Sequence, residues 1–419
     1  MATIGDLGNT GMVNRLTTAA ATSGGVTGLN KLWLPLWSGE VIHAYDQVNM
    51  FENMITTKPL SGGYSYEFPI TGTVQAATTW EAGVELAGGT SKTNTFKVNL
   101  DKRPMATYFE CDNIDSLITQ WDYRSELARQ AGLQLANMRD KQIALSILAA
   151  CAVSQFASSG DPRGTLTFPA PIEVAAIGTT ASACTEVAAL NILKAIEDYF
   201  VTMQENDYPI GNVYCVVTPK VFQVIRGLGL TRAADVFTPG SGTSSTVSTQ
   251  GTNFTKNPMF GGSSEYGGLG APYTVGYNSM GDSLDYMGCK IVKSNHLPTT
   301  TADNANLALG SLKYNLCTAG FSVFGMIFQP EAIAGLSLQG LKVDSIADVR
   351  RNTQFTVASM MKGTGILRPE LCQALLAPVS STGVSAAGDV NSRGELAAIL
   401  DNGTDGWTTG FAAEYAATA

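Results

Sequence analysis

From Tyr123 the stretch YRSELARQAGLQLANMRDKQIALSILAACAVSQF reads as a single helix, with Thr119 and Asp122 supplying capping oxygens ahead of it and SSGDPRG stopping it. At 1.5 Å per residue its roughly 33 residues make a rod of about 50 Å, where helices of globular proteins usually run about 10 to 14 residues. A rod of that length needs neighbours along its whole course. Leu127, Ala131, Leu135 and Met138 form one apolar stripe, and beyond Gln142 the helix is apolar on most sides. Its second half is therefore expected under a sheet or loops. The most apolar window, residues 143–153, falls short of the about 20 residues that a bilayer span needs and follows Arg139, Asp140 and Lys141. It predicts a buried helix and no membrane anchor.

Ahead of the rod lies a stretch of the opposite kind, LSGGYSYEFPITGTVQAATTWEAG, with aromatic residues, several glycines and hardly any charge. Strand-like alternation surrounds Tyr64, Tyr66 and Phe68, and a second run places Phe96, Val98 and Leu100 between Thr95, Lys97 and Asn99. Residues 58–105 are thus expected as a long two-stranded excursion with a glycine-rich tip at AGVELAGG. An isolated hairpin is marginal in water. The first strand also lacks a regular apolar face, so the partner that orders the ribbon is expected outside the chain.

Residues 1–30 are mainly Thr, Ala, Gly and Asn and read as a loose arm, followed by helix-like spacing at Val41, Ile42, Tyr45 and Val48. After the rod, Val187, Leu190, Leu193, Ile196, Phe200 and Met203 mark a second amphipathic helix that NDYP ends. NVYCVVTP predicts a buried strand, and Thr218 and Pro219 open a short helix. Residues 238–283 are mostly Gly, Ser, Thr and Asn and read as an inserted loop, after which SLDYMGCKIVKSNHLP predicts one strand. YNLCTAGFSVFGMIFQP and DVRRNTQFTVASMMKG supply two more, and the tail over 374–419 is small and polar with a helix only at GELAAIL.

Composition limits the partners. Charged residues are 15% of the 419, against about 25% on average, which fits either a neutral polar surface or extensive subunit contact. The net charge of −9, with no basic run longer than Arg350 and Arg351, argues against a phosphate-gripping surface. Seven scattered cysteines without a C-x-x-C pair indicate reduced thiols and no zinc knuckle. MATIGDLGNT gives no reading of a signal peptide.

Catalytic motifs are weak. The two histidines, His43 and His296, have no local Asp or Glu at metal-ligand spacing, and GTGILR and GLGLTR are only fragments of a glycine-rich loop, read as turns. No catalytic, metal or cofactor residue is assigned, and no cofactor is expected. A hydrolase using Glu81 or His296 is the rival from another class; exposed loop glutamates and a hydrogen-bonded histidine are the simpler expectation. Lys92 and Lys97 lie on the ribbon, where a lysine beside another subunit's Asn would need a buried site to form an isopeptide bond. Arg368 and Glu370 flank Pro369 and are expected to make a charge-assisted contact between elements or subunits.

Taken in order, WSGEVIHAY, FPITGTVQAATTWEAGVEL, YRSELARQAGLQLANMRDKQI, MGCKIVKSNHLP and GILRPE resemble the major capsid proteins of tailed double-stranded DNA bacteriophages, most nearly those of short-tailed podoviruses, cyanophages included. The resemblance spans about 35 to 373. It implies an α+β chain of the Hong Kong 97-type (Johnson) fold. Residues 1–57 would be the N-terminal arm and the helix leading out of it, 58–105 the extended loop, and 106–169 the peripheral domain with its spine helix. Residues 170–315 would be the axial domain with an insertion at 238–283, 316–373 the peripheral return strands, and 374–419 the tail. Insertion and tail both exceed a compact member of the family. The implied role is self-assembly into hexamers and pentamers of an icosahedral head enclosing double-stranded DNA, with an encapsulin-like compartment for cargo enzyme as the alternative. The chain would not be an enzyme. Implied partners are other copies, a scaffolding protein and portal, DNA contacted non-specifically, and at most a decoration protein, with no membrane; assembly would occur in the host bacterial cytoplasm and the product would be the virion. Candidates for inter-subunit contact are Tyr64, Tyr66, Phe68, Trp80, Glu81, Glu85, Lys92, Arg368 and Glu370.

Overall fold

The computed structural model describes residues 50–71, 79, 81–83, 85, 93–114, 123–154, 166–173, 186–208, 210–225, 283–298, 312–316, 321–378, 392–401 and 407–416. The expected arm and the inserted loop, apart from Ser283, lie outside them.

The rod is there. Helix α1, Tyr123–Cys151, has 29 residues and so measures about 44 Å. Its first half packs Ala131 and Leu135 against Met105, Ala358 and Met360, and its second half, from Gln142 to Val153, is buried at every position. Two sheets share the burying. One has the order β1 (Thr56–Pro59), β10 (Ile333–Asp348), β11 (Thr353–Ile366), β4 (Met105–Asp112), with β1 parallel to β10 and the rest antiparallel. The other is mixed, in the order β5 (Ile172–Glu173), β12 (Cys372–Pro378), β9 (Phe321–Phe328), β6 (Val213–Val217), β8 (Cys289–Lys293), β7 (Ser283–Tyr286). Helix α2, Glu186–Glu205, joins the core with the latter sheet through Ile192, Leu193, Ile196, Tyr199 and Met203. The Tyr199 hydroxyl donates to the Leu371 carbonyl and accepts from Gln329 Nε2.

Several expectations need correcting. SLDYMGCKIVKSNHLP is a hairpin, β7 and β8, because Met287 (φ 49°) and Gly288 (φ 85°) form a left-handed two-residue turn. Ile333–Asp348, of which 333–347 are assigned to no element from the sequence, is the longest strand among the described residues. The strands expected as one return unit over 316–373 are divided, since β9 and β12 pair in the mixed sheet while β10 and β11 pair with β1 and β4. The chain crosses between sheets at 330–332 and again at 369–371, through two short 3-10 turns that each open on a proline. The crossings are tied: Leu367 and Arg368 N–H groups both donate to the Ala332 carbonyl at 3.0 Å.

The tail is no solvent-exposed loop in its described parts. It starts inside β12, and α3, Arg393–Leu400, opens with a capping box between Ser392 and Glu395. Leu396 and Leu400 are buried in the main core, as are Trp407, Phe411 and Tyr415 from the helical residues 407–416, which end in α4, Ala413–Ala416. Arg393 explains much of this. Its guanidinium donates to the carbonyls of Ala150, Val153, Pro169, Pro369 and Cys372 while stacking 5.0 Å from Phe168. The Ala150 carbonyl belongs to the last turn of α1, which a helix cannot satisfy internally, and that of Val153 lies two residues past its end.

Candidate assembly surface

The ribbon's two strands pair as a hairpin, β2 (Ser65–Thr71) antiparallel to β3 (Thr93–Asn99), in a register running from Ser65 opposite Asn99 to Thr71 opposite Thr93. Successive side chains point to opposite faces. Tyr66, Phe68, Phe96 and Val98 share one face, and Glu67, Pro69, Thr95 and Lys97 share the other, which is exposed. Part of the partner that was sought outside the chain is inside it. Val98 and Leu100 are buried with Ala334 and Leu336 of β10, and Tyr66 and Phe68 pack on that cluster.

Glycines of β11 make the seat. A Cβ on Gly363 would lie 2.7 Å from the Asn99 carbonyl oxygen, and one on Gly365 would lie 2.6 Å from Val98 Cγ1. Only hydrogen at those positions lets the ribbon base approach so closely. The GTG that reads as a turn fragment in the sequence is therefore strand, spaced so that both glycines face the ribbon while Thr364 points to the opposite side. There Thr364 Oγ1 lies 2.7 Å from Ser146 Oγ on α1 and 2.8 Å from the Tyr314 hydroxyl.

The C-terminal segment closes the seat from the other side. Phe96 stacks on Tyr415 with centroids 5.3 Å apart, and the Asn99 N–H donates to Glu414 Oε1 at 2.9 Å. Behind them Lys313 lies 3.2 Å from Asp101 and 3.7 Å from Glu414, and donates to the Thr364 carbonyl at 2.7 Å. Burial works against the Lys313 ammonium, yet Tyr314, Asp101 and Glu414 together hold its pKa above the ordinary lysine value. Tyr314, which donates to Asp101, is pushed up to about 12 by burial and by the Asp101 charge. The sequence carried a signal for this clasp: Trp407, Phe411 and Tyr415 recur every four residues, a helical spacing among small residues.

The remaining candidates divide. Tyr64 is exposed, as are Glu81 and Glu85, while Trp80 and Lys92 lie outside the described residues. Tyr66 and Phe68 are half-buried on their own chain; Lys58 Nζ sits 4.0 Å over the Tyr66 ring. Arg368 pairs with Glu331 at 2.7 Å across the two crossings and lies 3.9 Å from the Glu370 carboxylate, which is 1% exposed, so the charge contact expected between Arg368 and Glu370 is a loose one within the chain. His296 is buried with Nδ1 3.1 Å from Asp140 Oδ2, and the Asp140 carboxylate also accepts the N–H groups of Met50 and Phe51. Asp140 thus ties the start of the described chain to α1, with His296 beside its carboxylate. His43 lies outside the described residues, and among them no group of three or more His, Cys, Asp and Glu is placed to hold a metal. No helix among them is long and apolar enough to cross a membrane.

A seated ribbon, a long spine helix and two sheets joined by double crossings are a specific combination. Solved structures resemble the chain as a whole. The capsid of the cyanophage P-SCSP1u superposes with a TM-score of 0.59 at 26% identity, covering 84% of this chain and 95% of that one. The chain has a phage major capsid protein fold. Two further capsids show the same fold at lower identity: the mature capsid of bacteriophage PhiM1, with a TM-score of 0.54 at 15% identity over 84% of this chain and 92% of that one, and that of Ralstonia phage GP4, at 0.50 and 11% over 87% and 100%. No family model and no curated protein matches the sequence. This capsid fold is the Hong Kong 97 type, so the resemblance drawn from the short sequence segments and the likeness in three dimensions agree.

Proposed function

We propose that this chain is the major capsid protein of a tailed phage, assembling with copies of itself into the hexamers and pentamers of an icosahedral head around double-stranded DNA. The observation that carries the reading is the likeness to the P-SCSP1u capsid over 84% of the chain. The ribbon supports it. Its base is fixed by the chain's own β10, β11 and C-terminal segment, while Glu67, Lys97 and Thr95 look outward, an arrangement suited to reaching a neighbour with a defined exit angle. Residues 58–105 are assigned to the extended loop, and α1 with the sheet β1–β10–β11–β4 to the peripheral domain. The mixed sheet with α2 is assigned to the axial domain. Tyr64, Glu81 and Glu85, with Trp80 and Lys92, are the proposed inter-subunit contacts of the loop, and Arg368 acts within the chain.

A net charge of −9 suits a shell that encloses DNA without gripping it. Scaffolding protein and portal are proposed partners in the host cytoplasm, and the role is structural, not catalytic. Likeness to phage capsids does not favour the encapsulin-like compartment. Because Phe96, Val98 and Leu100 are core residues, the test removes only the outer ribbon, replacing 72–92 by a short glycine linker. The expected outcome is a folded, monodisperse chain that forms no shells by electron microscopy, beside a wild-type chain that forms them with a scaffold. Normal shells from the deletion would remove the ribbon from assembly.

A further inference from the structure

Strand β10 is paired on both sides only from Ala334 to Ser337, where β1 lies along it. Beyond that point β11 holds one side, and among the described residues no strand runs along the other. From Lys342 to Asp348 the register with β11 is unbroken. The outer edge there is regular, and residues 340–347 are exposed at every position, with Leu341, Val343 and Ile346 at 58%, 54% and 68%. A long, regular, partly apolar edge of this kind is a template for another strand. Soluble chains usually blunt such edges; this one keeps its bulges on the inner side of Lys342.

We propose that this edge pairs antiparallel with the same edge of a second copy, across a two-fold axis at Ser345. The inference rests on the shell-forming role proposed above. Its argument is self-complementarity, which a two-fold contact requires, since each residue i then meets j and j meets i. With the axis at Ser345, Lys342 of each copy lies opposite Asp348 of the other, Val343 opposite Ala347, and Asp344 opposite Ile346. Faces match only when the axis passes through a residue, because side chains alternate. Moving the axis to Asp344 would set that carboxylate against its own copy, and moving it to Ile346 would set Asp344 against Asp348. Like charges directly opposite each other destabilise a pair. Charge thus disfavours the two registers one residue away, main-chain hydrogen bonds of an added strand supply the attraction, and a cysteine at 345 separates this axis from one at Val343, which would set Ser345 opposite Leu341.

Directly opposed residues in an antiparallel pair have Cβ atoms about 4.5 to 5.5 Å apart, close to disulfide reach. Ser345→Cys in the full-length chain reads the contact, since the described cysteines are all buried. Under mild oxidation, particles of this variant are expected to run mostly as covalent dimers on a non-reducing gel, with wild-type particles monomeric. Particles mixed from Val343→Cys and Ala347→Cys single variants read the same register if Ser345→Cys fails to fold, since with the axis at Ser345 only the mixture cross-links. Particles of Ser345→Cys, or of the mixture in its place, without dimers above the wild-type level overturn the proposal, as does a cross-link to a different protein. Wild-type chains that form no particles would instead sink the shell-forming role. The edge is then judged by the dimer band of the soluble variant, present or absent.

Discussion

Arg393 holds the end of α1 from another helix altogether, and five backbone carbonyls depend on it. Hydrogen bonds to charged groups contribute about 1.5 to 3 kcal/mol each and are not additive. Arg393→Ala is therefore expected to lower unfolding free energy by at least about 3 kcal/mol in urea titration, and Arg393→Lys to restore only part, because a point charge cannot reach as many acceptors as the planar fork. Gly365 is a second such residue. Gly365→Ala forces a Cβ into Val98, so a loss of about 1 to 3 kcal/mol is expected, with faster amide exchange at residues 98–101. Unchanged exchange there would show that the ribbon base does not depend on the glycine. Tyr314 gives the pH dependence. Unfolded tyrosine loses its proton near pH 10, whereas folded Tyr314 keeps its own up to about 12. Its contribution is present in full below about pH 10 and fades between there and about 12, as the folded chain binds a proton that the unfolded chain has released. Circular dichroism with tyrosinate absorbance across that window checks it, and constant stability would refute it.

Elements differ in how openly the sequence announces them, and the reason is physical. Helix α2 is legible because one face meets the same environment along its length, so apolar residues repeat at helical spacing, and α1 is legible from the stripe of its first half and from an apolar run in its second that is buried all round. Strand β10 is not, because its environment changes midway: residues 333–336 are buried on both faces and 340–347 are exposed on both, and neither half alternates. The ribbon's strands were legible, but their partner was not. Val98 looks like an ordinary alternating residue until β11 places two glycines beneath it. Helical residues 407–416 were hidden by their surroundings of Ala, Gly and Thr, although their aromatic spacing was visible. Truncation after Asp401 tests their role at this scale. Amide exchange should rise across residues 93–101 and stay slow in the second half of α1; equal change in both would make the segment a general stabiliser and not a clasp.

Across the whole molecule, the two sheets are coupled by α1, which both cover, and by the paired crossings at 330–332 and 369–371. The Arg368–Glu331 bridge spans those crossings at the surface, where such pairs contribute about 0 to 1 kcal/mol. Glu331→Ala, which leaves Arg368 beside the buried Glu370, should accordingly leave the midpoint of denaturant unfolding nearly unchanged, and a loss well above that range would mean that the bridge, not the shared Ala332 carbonyl, ties the sheets together. The clasp on the ribbon has another consequence, one of timing. Asn99 and the Glu414 that holds it are 315 residues apart, and a ribosome delivers them in that order. Every nascent chain therefore carries a ribbon without its full seat until its last helical segment has emerged and folded back. A ribosome that has not yet released residues 407–416 thus holds a ribbon whose base is only partly seated.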